Sequence, residues 1–354
     1  MIEPEISVLI PLYNSKIYIE DCVRSVLRQT FQNFEIVICD DFSTDGVFDF
    51  VKEIFADEIT DGKIRLFQNT ENLGEGATIK KLFGLAEGKY VTILHNDDLY
   101  MLDALEHLFE VAENFQADVV HGSNFLTSEK DGVIKKGTPL RKVCHDNNPA
   151  TKIEIMPADL DSRFEEWSTG GTFQDAQYNI FRRQFVLENK LLNGMENGDT
   201  FLSTLKWLMT AKIFVKTPKI FYIRRDCPTS QTNEKSVSDK RLEKQITSNI
   251  LLFREIDKFV TDFDFFNGKK DLQYLVKSKI FKASESLTAD FNNVVLNEGY
   301  VNLYCSMENI FKKRFDADGV YLAMLYHWSH IMQFNKSKIQ SSLLDCLNLI
   351  GQDI

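Results

Sequence analysis

The segment Ile6-Ser7-Val8-Leu9-Ile10-Pro11-Leu12 is short, apolar and rich in β-branched side chains, and it stops at Tyr13-Asn14-Ser15. Such a run suits a strand buried on both faces, which a parallel sheet provides. The period then changes: Ile19, Cys22, Val23, Val26 and Leu27 recur at helical spacing between 18 and 29, and Phe34-Glu35-Ile36-Val37-Ile38-Cys39 is a second apolar run. Strand, helix and strand in this order make a βαβ unit, whose crossover is right-handed in nearly all cases. The alternation repeats, with helices expected near 46–56, 75–87 and 102–115 and strands at 64–67, 90–94 and 118–121. These elements specify an α/β fold with a doubly wound sheet, its loops gathered at the carboxyl ends of the strands.

From about 127 to 170 the pattern is irregular, a length that suits an active-site lid, an acceptor loop or partial disorder. Order returns with a strand at 178–181, helices at 184–190 and 199–210, and strands at 212–215 and 219–224. The polar stretch 226–240 marks a boundary. Beyond it Ile246, Ile250, Leu251, Phe253 and Ile256, then Leu322, Leu325, Trp328 and Ile331, follow the helical period. The expected organisation is an α/β domain over 1–240 and a mostly α-helical C-terminal domain over 241–354. The tail's 16 aromatic residues fit helix packing or an oligomer core. Acceptor placement, oligomerisation and peripheral membrane association are the roles open to it.

Charge narrows the function. The chain has 354 residues, with 41 Lys+Arg against 52 Asp+Glu and a net charge of −11. Residues 241–354 carry 14 basic and 14 acidic side chains, so the whole acidic excess lies in 1–240. Nucleic-acid binding needs a basic face that this chain lacks, and a phosphate ligand would have to be held by something other than bulk charge. The start, Met1-Ile2-Glu3-Pro4-Glu5, has neither a basic leader nor a long apolar core, and no window reaches about 18 uncharged apolar residues. A cytoplasmic protein is expected. Six cysteines without a CxxC pair read as reduced thiols, Cys22 and Cys39 among them as small core hydrophobes.

Acidic clusters stand where strands end. Asp40-Asp41-Phe42-Ser43-Thr44-Asp45 follows the second strand, in the crevice where open α/β sheets bind ligands. A carboxylate there accepts hydrogen bonds from a ribose hydroxyl or a base N–H, although Asp and Ser also cap helices. His95-Asn96-Asp97-Asp98 follows the strand at 90–94, and adjacent acids on such a loop offer hard oxygen ligands for Mg²⁺ or Mn²⁺. A divalent ion can join an acidic site to a diphosphate. Asp199, in Gly198-Asp199-Thr200, is either a helix cap or a general base. Trp167, just before Gly170, is either structural or an exposed ring on which an acceptor sugar can stack.

Together these segments resemble family 2 glycosyltransferases of the GT-A fold. The resemblance is carried by Ser7-Val-Leu-Ile-Pro-Leu-Tyr-Asn14, Ser25-Val-Leu-Arg-Gln-Thr-Phe31, Phe34-Glu-Ile-Val-Ile-Cys-Asp-Asp-Phe-Ser-Thr-Asp45 and Glu87-Gly-Lys-Tyr-Val-Thr-Ile-Leu-His-Asn-Asp-Asp98, and covers about 5–225. It implies a Rossmann-like mixed sheet and an inverting hexosyl- or N-acetylhexosaminyltransferase. The donor would be a nucleotide-diphosphate sugar, most often a UDP-sugar, and the acceptor a glycan or lipid-linked glycan of bacterial surface polysaccharide. It places Pro11 and Tyr13 beside the nucleotide, Asp40 and Asp41 on uracil and ribose, and Asp97 and Asp98 on the Mn²⁺ or Mg²⁺ ion. Gly170 and Gly171 match the small pair beside the donor sugar, and Asp199 the catalytic base.

Two positions depart from the family pattern. His95 stands where the Asp-X-Asp-Asp motif begins; either the later aspartates suffice or His95 serves as ligand or hydrogen-bond donor, with Asn96 beside it. After Tyr222-Ile-Arg-Arg225 the usual His and Ser give way to Asp226-Cys227-Pro228-Thr229-Ser230, so a pyrophosphate contact falls to Arg224, Arg225 or Ser230. Two rival readings are a non-catalytic sugar-binding or partner subunit of the same fold and a sugar nucleotidyltransferase. The second needs a glycine-rich basic loop after the first strand, where this chain has Tyr13-Asn14-Ser15.

Overall fold

The run at 6–12 forms β1 (Ile6–Leu12), buried along its whole length, in a computed structural model that describes residues 3–128, 140–144, 146–172, 175–192, 200–227, 252, 255–273, 275 and 276. The chain continues through α1 (Ile19–Leu27), β2 (Phe34–Asp40), α2 (Val47–Ile54), α3 (Ala56–Thr60), β3 (Ile64–Gln68), α4 (Glu75–Leu85), β4 (Tyr90–Ile93), β5 (Leu99–Tyr100) and α5 (Ala104–Phe115). Then come β6 (Val119–Gly122), β7 (Asn124–Thr127), β8 (Arg141–Cys144), β9 (Glu154–Ile155) and α6 (Leu160–Thr169). The last elements are β10 (Asn179–Arg182), α7 (Arg183–Glu188), α8 (Thr200–Thr210), β11 (Phe214–Thr217) and β12 (Tyr222–Arg224).

An eight-stranded sheet has the order β3-β2-β1-β4-β10-β6-β11-β9, and a smaller one runs β5-β12-β7-β8. β1 pairs in parallel with β2 on one side and β4 on the other. β10 runs antiparallel between β4 and β6, so the large sheet is mixed, as the family resemblance implies. The chain winds outward through β2 and β3 and returns across β1 to β4. That reversal opens a crevice at the carboxyl ends of β1, β2 and β4. Val8, Leu9 and Ile10 are fully buried at its base, each worth about 1.5–3 kcal/mol relative to exposure.

Within the stretch expected to be irregular, α6 forms. Its apolar stripe is interrupted by Arg163, which is itself buried and donates to the carbonyls of Pro157, Leu208, Ala211 and Lys212. A cation occupies a core position because the end of α8 offers it carbonyl oxygens. Phe164 of the same helix meets Phe266 at 5.7 Å between ring centroids. The chain divides into two compact units, Met1–Ser236 with Arg254–Ala283, and Val237–Phe253 with Ser284–Ile354. Residues 254–283, placed beyond the expected boundary at 240, therefore belong with the first unit. The remaining tail positions read as helical, including 246, 250, 251, 253, 322, 325, 328 and 331, lie outside the described residues. Among the described residues no helix is long and apolar enough to cross a membrane. Cys22, Cys39 and Cys227 are buried and form no disulfide among the described residues.

A buried ionic network supports the far half of the sheet. The Lys216 ammonium lies 2.7 Å from Glu166 and 3.3 Å from Asp146, and donates to the carbonyls of Asn148 and Gly171. Asp146 faces His121 Nε2 at 3.1 Å, and His121 Nδ1 is 2.9 Å from Asn179 Oδ1. Burial acts to raise the Asp146 pKa, but His121 and Lys216 hold it at about 2. Replacing Lys216 with Met leaves two buried carboxylates without their cation, which costs about 3–5 kcal/mol by urea unfolding. A loss under about 1 kcal/mol would contradict the role given to the network. The depressed Asp146 pKa contributes stability above about pH 4 that fades as pH falls towards 2, so Asp146→Asn should converge on wild type across that window.

Candidate active site at the carboxyl ends of the parallel strands

On the β2 side, the acids expected to meet a nucleoside are buried and bonded to the protein. Asp40 accepts from the Ser43 amide at 3.2 Å, from the Ser43 hydroxyl, and from Gln68 Nε2 at 2.9 Å. Asp41 accepts from Asn69 Nδ2 and the Leu73 amide at Oδ1, and from the Gly74 amide at Oδ2, each at 2.8 Å. Its own amide donates to Leu12 in β1 at 2.8 Å. These carboxylates rivet the 69–74 loop and the 40–45 turn to the strand ends. Asp45 behaves as a cap, accepting from the Val47 and Lys16 amides at 3.0 Å. Tyr13 is half-buried beside this turn, and the Pro11 carbonyl accepts from Asn96 Nδ2 at 3.0 Å, tying β1 to the loop after β4.

That loop carries the second acidic cluster. Asp98 is 4% exposed and accepts from the Tyr222 hydroxyl at 2.6 Å and the Arg225 amide at 2.7 Å. Burial, with the neighbouring Asp97 charge, pushes its pKa up to about 7 despite His95 and these donors. Asp97 is half-buried and accepts no hydrogen bond from the described residues. His95 Nε2 lies 3.3 Å from Glu75 Oε1. Burial acts to lower the His95 pKa, but Glu75, Asp98, Asp97 and Asp175 outweigh it and raise it. His95, Asp97 and Asp98 each offer a ligand atom, all within 4.8 Å of one another. Two crowded carboxylates, one of them without a hydrogen bond from the described residues, fit a hard divalent cation.

The cations at the end of β12 have separate environments. Arg225 is buried, with its guanidinium 5.6 Å from the Tyr18 ring centroid and 3.3 Å from Asp21, so it holds α1. Arg224 is exposed and is one of the charges that oppose the burial-driven rise of the Asp175 pKa. Glu75, Asp175 and Tyr222 join the site from α4, the segment before β10, and β12. No local motif marks them, because they arrive from segments 20 to 127 residues away from His95.

Trp167 is corrected: it is 1% exposed and packs on Phe164 at 5.7 Å, because α6 turns that face into the core, so it offers no ring to a sugar. Gly170 ends α6 at φ 72°, and a Cβ on Gly171 would lie 2.4 Å from the Glu166 carboxyl that pairs with Lys216. Gly171 thus sits against the buried network, while Gly170 owes its place to its left-handed backbone and the neighbouring Asn147 side chain. Gly198, Asp199 and Ser230 lie outside the described residues; Asp199 immediately precedes α8.

The model of the family described as Glycosyl transferase family 2 matches residues 7–186. The glycosyltransferase GlyG of Streptococcus pneumoniae is 26% identical over 222 residues, 62% of this chain and 70% of that protein. The GalNAc(5)-diNAcBac-PP-undecaprenol beta-1,3-glucosyltransferase of Campylobacter jejuni is 29% identical over 195 residues, 54% of this chain and 55% of that protein. The chain spans about half or less of the length of most curated relatives it matches. Among solved structures, S. aureus TarS 1–349 in complex with UDP-GlcNAc superposes with a TM-score of 0.59 at 19% identity, covering 87% of this chain and 79% of that one, a likeness of fold. The chain belongs to glycosyl transferase family 2 and is a glycosyltransferase.

The riveting role of Asp41 is open to measurement. Asp41→Asn turns one acceptor into a donor facing the Gly74 amide, so stability should drop by about 1.5–3 kcal/mol and amide exchange at Leu73 and Gly74 should accelerate. Unchanged exchange at those two amides would contradict it.

Proposed function

We propose that this family 2 glycosyltransferase moves a sugar from a nucleotide-diphosphate donor, a UDP-sugar, to a hydroxyl of a glycan or lipid-linked glycan, with inversion at the anomeric carbon. The observation that carries the reading is the convergence of His95, Asp97 and Asp98 within 4.8 Å at the crevice edge, beside the turn built by Asp40 and Asp41. The names of the Campylobacter relative and of the TarS complex support the acceptor and donor classes. The local charge supports the cofactor. An Mn²⁺ or Mg²⁺ ion held by Asp97 and Asp98, with His95 as third ligand, neutralises charge on the diphosphate when bound.

The chain's own groups do the rest. The Asp40–Asp41 turn shapes the nucleoside end, and Tyr13 borders it. Arg224, exposed at the end of β12, meets the phosphates and favours the diphosphate as leaving group. Asp199, which precedes α8 in the sequence, takes the proton from the acceptor hydroxyl as the hydroxyl oxygen bonds to the anomeric carbon and the bond to the diphosphate breaks. Glu75, 3.3 Å from His95, fixes the orientation of that imidazole. Assembly of bacterial surface polysaccharide on a cytoplasmic lipid-linked acceptor is the setting this chemistry fits.

Asp199→Asn should keep donor affinity and lose transfer by a factor of at least about 10², the lower bound for general acid–base catalysis. Single-turnover sugar transfer and UDP titration on the same variant check it. Wild-type turnover in that variant would remove Asp199 from the reaction.

A further inference from the structure

The buried ionic network in the far half of the sheet ends at the crevice. Lys216 lies 3.3 Å from Asp146, Asp146 is 3.1 Å from His121 Nε2, and His121 Nδ1 is 2.9 Å from Asn179 Oδ1. The Asn179 amide nitrogen then donates to the carbonyls of Asp175 at 2.9 Å and Ala176 at 3.3 Å. Two carbonyl acceptors fix which end of that amide faces the segment before β10, and its oxygen is left to accept from the imidazole. His121, Asn179 and Lys216 are each at most 1% exposed. The same lysine grips the chain upstream of that segment. It donates to the Gly171 carbonyl at 2.7 Å and pairs with Glu166, which accepts from the Thr172 hydroxyl at 3.2 Å. One cation thus anchors the chain both at Gly171 and Thr172 and at Asp175 and Ala176. Stability alone does not call for such a network, since apolar side chains of similar volume often replace buried ion pairs at no loss. A polar chain fixes directions as well as distances.

What these bonds place is Asp175. β10 pairs antiparallel with β4, Ile180 opposite Thr92, so the residues before β10 run past the carboxyl end of β4 towards the loop of His95 to Asp98. Asp175 acts electrostatically on His95, and His95, Arg224 and Glu75 act on it. It is half-buried; its Oδ2 accepts from Gln177 Nε2 at 3.2 Å, and its Oδ1 accepts no hydrogen bond from the described residues. Strand order says what meets that oxygen. Across β2-β1-β4-β10 the donor of the proposed reaction has its nucleoside end at β2 and its diphosphate at the loop after β4, so the sugar beyond the diphosphate is carried on towards β10. A carboxylate oxygen there accepts from a sugar hydroxyl.

We infer that Asn179, His121, Asp146 and Lys216 are positioning residues for the transfer: they fix the Asp175 carboxylate at the start of β10, where it accepts from a hydroxyl of the donor sugar. This rests on the nucleotide-sugar reading above and adds to it a group that distinguishes a nucleotide sugar from the bare nucleotide. A hydrogen bond weakens steeply once its geometry drifts, so a small shift of the backbone at 175 and 176 removes the contact without unfolding the sheet.

Calorimetric titration of the full chain with UDP, UDP-glucose, UDP-galactose, UDP-N-acetylglucosamine and UDP-N-acetylgalactosamine, all with Mn²⁺ present, identifies the UDP-sugar that wild type binds most tightly. Asp175→Ala should weaken that UDP-sugar about 10-fold or more and leave UDP unchanged, because the lost bond has a charged acceptor. Asn179→Ala and His121→Gln cut the chain of bonds at two points. Each should show the same split between UDP-sugar and UDP while folded, and neither should add to the loss in an Asp175→Ala background. Wild-type UDP-sugar affinity in Asp175→Ala, equal losses for UDP and UDP-sugar, or additive losses in the double variants overturns the inference alone. A wild-type chain that binds no UDP overturns the nucleotide-sugar reading, and the inference with it.

Discussion

The parallel pairing of β1 with β2 on one side and β4 on the other is the constraint from which the site follows. A strand with neighbours on both edges and a covered surface on both faces must be apolar throughout, and the register it imposes leaves no freedom in where the flanking loops emerge. Leu12 stands opposite Asp40, so Tyr13 and the Asp40–Asp45 turn share one edge. On the other side Leu9 pairs with Ile93, and His95 to Asp98 emerge beside the Asn96–Pro11 bond. Two acidic clusters 55 residues apart in sequence are neighbours for this reason.

Those acids then divide by environment. Asp41 and Asp45 accept backbone amides and build loops. Asp98 is anchored by Tyr222 and by the backbone of Arg225, linking the large sheet's loop to the smaller sheet. Asp97 has no such bond from the described residues, and it sits beside a carboxyl whose pKa is already raised to about 7. In a chain with a net charge of −11, His95, Asp97, Asp98, Glu75 and Asp175 gather part of the acidic excess at this loop. A divalent ion is the simplest group that relieves it, and a diphosphate the simplest ligand that such an ion then attracts.

The sequence makes much of this legible where physics is local. Apolar β-branched runs and helical spacing locate β1, α1, β2, β4 and α5 to within a few residues, since each element's burial is written in its own period. Legibility fails where a residue's role is set by distant partners. Arg163 looks polar and surface-bound until four backbone carbonyls surround it, and α6 is hidden with it. Trp167, in turn, looks like a free ring until that helix buries it. Lys216 is a buried cation on a strand, placed by Glu166 and Asp146 from segments 50 and 70 residues earlier. Glu75 and Asp175 reach His95 by the same long-range route, which no spacing in the chain announces.

The central claim is that Asp97 and its neighbours hold a cation through which this acidic crevice accepts a nucleotide diphosphate. Titrating UDP into the protein with Mn²⁺ and again with EDTA, for wild type and for Asp97→Ala, measures the coupling directly. The account predicts that Mn²⁺ tightens UDP binding at least about 10-fold in wild type, a coupling of about 1.4 kcal/mol, and has no effect in Asp97→Ala. UDP binding of equal strength with Mn²⁺ and with EDTA in the wild-type chain would contradict it.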